Sequence, residues 1–144
     1  MKSLKLFTFV ALLIALCSCE IFKNSSNSTG SVFSLNGQWE LVSSTPDNTL
    51  TGSRVTVAAF IPEGKFTFLQ NNSQCYRDND IKWKNIASDK SGGFMINNLL
   101  STCSGGTLNY QPATIYVMNT NQIRITGRNI NNQDNVQVWK RVVQ

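Results

Sequence analysis

The 144-residue chain contains no histidine. Histidine is the commonest general acid or base near neutral pH and a frequent zinc ligand. The four cysteines show no Cys-x-x-Cys spacing, and no glycine-rich phosphate loop or serine-nucleophile motif is present. Charged residues make up only 15% of the chain and form no basic stripe of the kind that nucleic-acid binding requires. Of the acidic residues, Glu40 alternates with Trp39 and faces solvent, and Glu63 and Asp89 fall in turn segments. Asp78 and Asp80, two apart, suit the start of a strand or a turn cap better than a cation site. The expectation is a protein that is not an enzyme, with no metal, no cofactor and no nucleic-acid partner.

Long hydrophobic runs are also missing. Residues 6–16 are apolar except for Thr8, about half of the roughly 20 residues a membrane-spanning helix needs. Lys2 and Lys5 precede this run and Leu16-Cys17-Ser18-Cys19 follows it. That order is a secretory signal peptide over residues 1–18. The last four residues resemble a bacterial lipobox: an aliphatic residue, a tolerated position, a small residue, then the lipidated cysteine. Ser18 supplies the small residue before the cut, and the Cys19 thiol carries the lipid. Cys17 does not fit, because Leu16 before it is too large. Each buried methylene of an acyl chain (palmitate, for example) contributes about 0.8 kcal/mol, and more than one chain gives stable anchoring. Secretion without a lipid is the plainer alternative. Loss of Lys2 and Lys5 lowers the net charge from +5 to +3, a value that speaks to solubility rather than to a partner.

Residues 19–34 include a Ser/Asn/Gly run, Asn24-Ser25-Ser26-Asn27-Ser28-Thr29-Gly30-Ser31. Such a run cannot bury enough surface to fold and reads as a tether. The folded domain is expected over 35–144. With Cys17 removed and Cys19 lipidated, Cys75 and Cys103 remain. In an exported domain, two cysteines are most simply one disulfide.

From Leu35 onward the hydrophobic period is two. Trp39 and Leu41 share one face, as do Phe66 and Phe68, Ile81 and Trp83, Phe94 and Ile96, and Ile123 and Ile125. Turn residues separate these runs at Thr45-Pro46-Asp47-Asn48, Pro62-Glu63-Gly64, Asp89-Lys90-Ser91-Gly92-Gly93 and Asn119-Thr120-Asn121. Pro112 interrupts the run around it. About eight short strands with no convincing helix predict an all-β, antiparallel barrel or sandwich.

Gly37-Gln38-Trp39 opening the first strand looks like the Gly-x-Trp start of lipocalin-like domains. Cys75-Tyr76-Arg77-Asp78-Asn79 is similar to a pattern in bacterial lipocalin-like lipoproteins, and Val138-Trp139-Lys140-Arg141-Val142 fits their last strand. The resemblance covers residues 35–142. It implies a small lipocalin-like β-barrel in the bacterial cell envelope, lipid-anchored to a membrane, the outer membrane for preference, with the domain in the periplasm or at the cell surface. It also implies that Trp39 packs against a basic side chain of the last strand, Arg141, and closes one barrel end. Arg128 is the other basic candidate. The chain is short and lacks a clear C-terminal helix.

Two functions follow from different classes. An eight-stranded barrel can hold one small ligand, and Phe66, Phe68, Trp83, Phe94 and Ile96 would line an apolar pocket for a small hydrophobic molecule. The same residues would equally fill the core of so small a domain. In the second function a filled barrel is a lipid-tethered, monomeric interaction module for an envelope protein or glycan, with asparagine-rich loops as its surface. An open cavity lined by Phe and Trp favours the first. A filled barrel with an exposed aromatic or asparagine patch favours the second.

Overall fold

The computed structural model describes residues 33–103 and 108–143. Signal peptide, Cys19 and most of the tether lie outside the described residues. Eight strands follow in order: β1 Gly37–Thr45, β2 Arg54–Val57, β3 Glu63–Phe68, β4 Ile81–Ser88, β5 Phe94–Ser101, β6 Asn109–Asn119, β7 Gln122–Arg128 and β8 Asp134–Arg141. Each pairs antiparallel with the next, and β8 returns to β1, so the sheet is a closed barrel with no free edge. Among the described residues there is no helix.

Alternation fills the barrel. Trp39, Leu41, Val55, Phe66, Trp83, Leu99, Ile115, Ile123, Ile125 and Trp139 are fully buried. Trp83 and Trp139 meet edge to face, with ring centroids 5.0 Å apart, a favoured aromatic geometry. Gly64 makes room for this pair. A Cβ there would sit 2.7 Å from the Trp83 ring and 2.9 Å from Val55. The sequence places Gly64 in a turn, whereas it lies inside β3 because the neighbouring indole needs the space.

Register shifts interrupt six of the eight strand pairings, and three of them re-aim residues expected to share a face or line the interior. Between β2 and β3, Val55 faces Phe66 and Arg54 faces Phe68, which leaves Thr67 as an extra residue. Phe66 therefore points inward, while Phe68 turns out, 48% exposed, with the Arg54 guanidinium over its ring. Between β3 and β4, Gly64 faces Trp83 and Lys65 faces Ile81. Lys82 is the extra residue, and both Lys82 and Trp83 are buried while Ile81 is only half-buried. Ile81 and Trp83 thus do not share a face. In β1, Val42 is the extra residue against β8, so the inward sequence runs Trp39, Leu41, Ser44. Bulges re-aim side chains in this way and sharpen the bend of a sheet.

Pro112 does not break β6. It pairs with Asn97 of β5, while β7 pairs with β6 only from Thr114 onward. Proline thus sits where the strand has one neighbour, an edge-like position that tolerates its missing N–H.

Candidate functional site

The two barrel ends differ in construction. One end carries the chain entry and the loops 58–62, 89–93 and 120–121. It is closed. Trp39 is buried and its indole Nε1 donates to the Leu35 carbonyl at 2.8 Å. The Arg141 guanidinium lies 4.3 Å from the Trp39 ring centroid. Its Nη1 and Nη2 donate to the carbonyls of Asn36 and Ser34, and Nε donates to Thr120. Phe33, which the sequence assigns to the tether, packs on Trp39 and Phe94 with centroids 6.2 and 6.1 Å away. Arg128 is at the opposite end, on the ion pair with Asp134.

The other end carries the loops 46–53, 69–80, 102–108 and 129–133. Four strands change their inner face as they approach it. β1 goes from Trp39 and Leu41 to Ser44, and β8 goes back from Trp139 through Gln137 to Asn135. β5 goes from Ile96 to Asn98, and β4 from Trp83 to Lys82. These polar side chains line a cavity of about 40 Å³ that opens between the loops, with Tyr76 and Leu100 beside them. The volume suits a few water-sized groups.

Lys82 stands at the centre of this polar cup, only 2% exposed. Its Nζ donates to the Tyr76 hydroxyl at 3.2 Å and to the Leu99 carbonyl. The Tyr76 ring centroid is 4.9 Å from Nζ and the Phe66 centroid 5.9 Å away. Among the described residues no carboxylate pairs with it. The ion pairs among the described residues are Arg54–Glu40, Lys65–Glu63 and Arg128–Asp134. Burial disfavours the ammonium form and brings the Lys82 pKa down to about 7. Burial also pushes the Tyr76 phenol well above the ordinary tyrosine range, with the Asp80 charge adding to it. The Tyr76 hydroxyl stays protonated and donates to the carbonyls of Leu99 and Leu100.

Other polar groups of the cup are partly satisfied. Asn135 Nδ2 donates to Ser44 Oγ and the Thr45 carbonyl, and Trp139 Nε1 donates to Gln137 Oε1. Asn98 Oδ1 is buried without a hydrogen-bond partner, as is Trp83 Nε1 in the apolar half. Buried polar atoms are rarely left unpaired. The loop framework is firm. Cys75 and Cys103 form a disulfide with Cα atoms 4.9 Å apart, tying the loop 69–80 to the loop 102–108. Asn72 bonds both backbone groups of Tyr76, and Asn129 Nδ2 donates to Asp47 on the rim at 3.1 Å.

The structure separates the residues expected to form an apolar pocket. Phe66, Trp83 and Ile96 are core, Phe94 is half-buried against Phe33, and Phe68 faces solvent. Ile96 also borders a shallow, open depression of about 430 Å³ over β4, β5 and β6, with Met95, Pro112 and Thr126. Asp80 caps a turn, accepting from the Arg77 N–H at 2.7 Å, and Asp89 accepts from Ser91 and Gly93 in the β4–β5 hairpin. Among the described residues no group of His, Cys, Asp and Glu is arranged to hold a metal, and no helix is long and apolar enough to cross a membrane. The sequence pattern missed Lys82, because alternation puts it outside. Comparison with protein-family models, characterised proteins and solved structures finds no match for this chain.

Proposed function

We propose that this chain is an envelope lipoprotein, lipidated at Cys19, whose lipocalin-like barrel serves as a non-catalytic binding module. A small ligand is taken at the open end of the barrel. The supporting observation is the division of the interior. Three tryptophans and their aliphatic neighbours pack the half toward the closed end. The space that opens to solvent from within the barrel is small and polar. A packed interior leaves little room for a bulky apolar cargo of the kind the aromatic pattern suggests. It favours a small polar ligand in the cup.

The interaction-module reading draws on a different feature. Phe60 is fully exposed at the tip of the β2–β3 hairpin, with φ +63°, and Ile61 beside it is half exposed. An aromatic held out in a left-handed conformation suits contact with another surface. Its location at the end where the chain enters the barrel keeps it apart from the cup.

Two measurements test the proposal. In cells, Cys19→Ala should shift the full chain from the membrane to the soluble fraction; unchanged membrane retention would refute the anchor. Gently purified protein should show, by native mass spectrometry, either its bare mass or a small polar adduct lost on denaturation. A lipid-sized apolar adduct would overturn the polar-ligand reading and restore the apolar one.

A further inference from the structure

We infer that the open-end cup is a receptor for a small monocarboxylate, with Lys82 as its counter-ion and the Asn98 side-chain amide as its second polar contact. The inference rests on the reading of the open end as the binding face and goes further by naming the ligand chemistry.

Lys82 is the reason. A lysine ammonium carries three donors, and here two acceptors are in reach, the Tyr76 hydroxyl and the Leu99 carbonyl. Neither brings a negative charge. A buried, unpaired cation is costly, and the cost falls when an anion joins it. The ion pairs among the described residues all employ other cations, so none of these residues supplies an anion to Lys82. Asn98 adds an independent observation. It is 4% exposed, lines the same cavity, and its Oδ1 lacks a partner. A side-chain amide can present its oxygen or, turned over, its NH₂. Turned toward the cavity that Lys82 also lines, the NH₂ would serve a carboxylate oxygen.

Charge and size decide among anions. Among the buried groups that line the cup Lys82 is the one cation, and Ser44, Asn98, Asn135 and Gln137 are neutral; the half-buried Asp47 and the exposed Arg128 complete its charged lining. That matches a single negative charge better than a phosphate dianion. A cavity of about 40 Å³ admits a carboxylate head and leaves the rest of the molecule in the mouth between the loops. Asp47 on the rim disfavours a second negative charge there, and Arg128 nearby is already paired with Asp134.

Protonation follows from the same geometry. The titratable and charged groups around Lys82 are Tyr76 from the loop 69–80, with Asp80 of the same loop acting on it, Asp47 from the loop 46–53 and Arg128 at the end of β7. The inward residues of β1, β5 and β8 at the cup do not titrate. A bound carboxylate stabilises the ammonium form of Lys82, so above pH 7 binding takes up a proton and weakens as pH rises.

The test is calorimetric titration of the purified full chain with acetate, propionate and butyrate. The matching amides and inorganic phosphate are run alongside. Saturable carboxylate binding with proton uptake above pH 7, and no binding of the amides, would support the inference. Lys82→Met should weaken binding roughly tenfold to hundredfold while raising the melting temperature, which loss of a merely structural lysine would lower. Should that variant fail to fold, the pH dependence and proton uptake of the unaltered protein decide the matter. Equal binding of amides would overturn the anion claim and leave the open-end reading standing. Binding of phosphate alone would overturn the carboxylate claim. Binding by none of the probes would overturn the inference, and the open-end reading would then rest on the native mass measurement.

Discussion

The closed and open ends of this barrel show two ways of finishing the same cylinder. At the closed end the Trp39 indole and the Arg141 guanidinium are both satisfied by backbone carbonyls. Arg141 is fully employed, with three carbonyls and the Trp39 face. At the open end a cation of comparable length, Lys82, is buried with no countercharge among the described residues, and the amide oxygen of Asn98, which lines the cavity, is unpaired. Saturated hydrogen bonding makes a plug. On the proposed reading, the unsaturated polar groups beside the cavity are what a ligand would satisfy.

The largest expected effect belongs to the closed end. Trp39→Ala removes a fully buried indole and should cost about 3–5 kcal/mol, measured as a lower midpoint in urea. A cost under about 1 kcal/mol would mean that this end is not the anchor of the core. Next comes the frame of the open end. Replacing Cys75 and Cys103 together by alanine should cost about 3–4 kcal/mol for a closed loop of this length. If the cup depends on that frame, carboxylate binding should weaken more in this variant than in Trp39→Ala.

Lys82→Met sharpens the contrast further, with a gain of about 1–3 kcal/mol expected from replacing a lone buried cation by an apolar side chain. The pH profile checks this independently. The folded pKa of about 7 lies below the ordinary lysine value of 10.5. Between those values the unfolded chain holds the proton and the folded one does not, so stability rises with pH, with a slope approaching about 1.4 kcal/mol per unit. Below pH 7 both states are protonated and the Lys82 penalty is fully present. Near pH 10 and above, the trend reverses as Tyr76 ionises in the unfolded chain but not in the barrel. Denaturation curves across this range should lose their rising limb in Lys82→Met. A limb that persists in the variant would assign it to another group.

The smallest effect should come from Phe60→Ala, within about 0.5 kcal/mol on stability, because the ring is fully exposed. A drop in binding to envelope material with stability unchanged would give the β2–β3 hairpin a role of its own. No change in either would confine function to the open end.

Much of this was legible in the linear pattern. Eight runs of period two, with turn residues between them, sufficed for the antiparallel all-β fold. Cys75 and Cys103 were paired once the other two cysteines were assigned elsewhere, and the structure carries that disulfide. Asp80 and Asp89 are turn residues, as their neighbours suggested. Sequence determined these things by itself because strand alternation, turn chemistry and cysteine arithmetic are local or compositional properties. Only the tertiary structure decided which side chains meet inside. Closing eight strands on one another introduces bulges at Thr67, Lys82 and Val42, and each one reverses the inside–outside phase that alternation assumes. Phe68 left the interior and Lys82 entered it for that reason. A bulge belongs to the register between two strands, here β3 and β4, and so no reading along one strand alone could have placed the lysine in the lining of the cup.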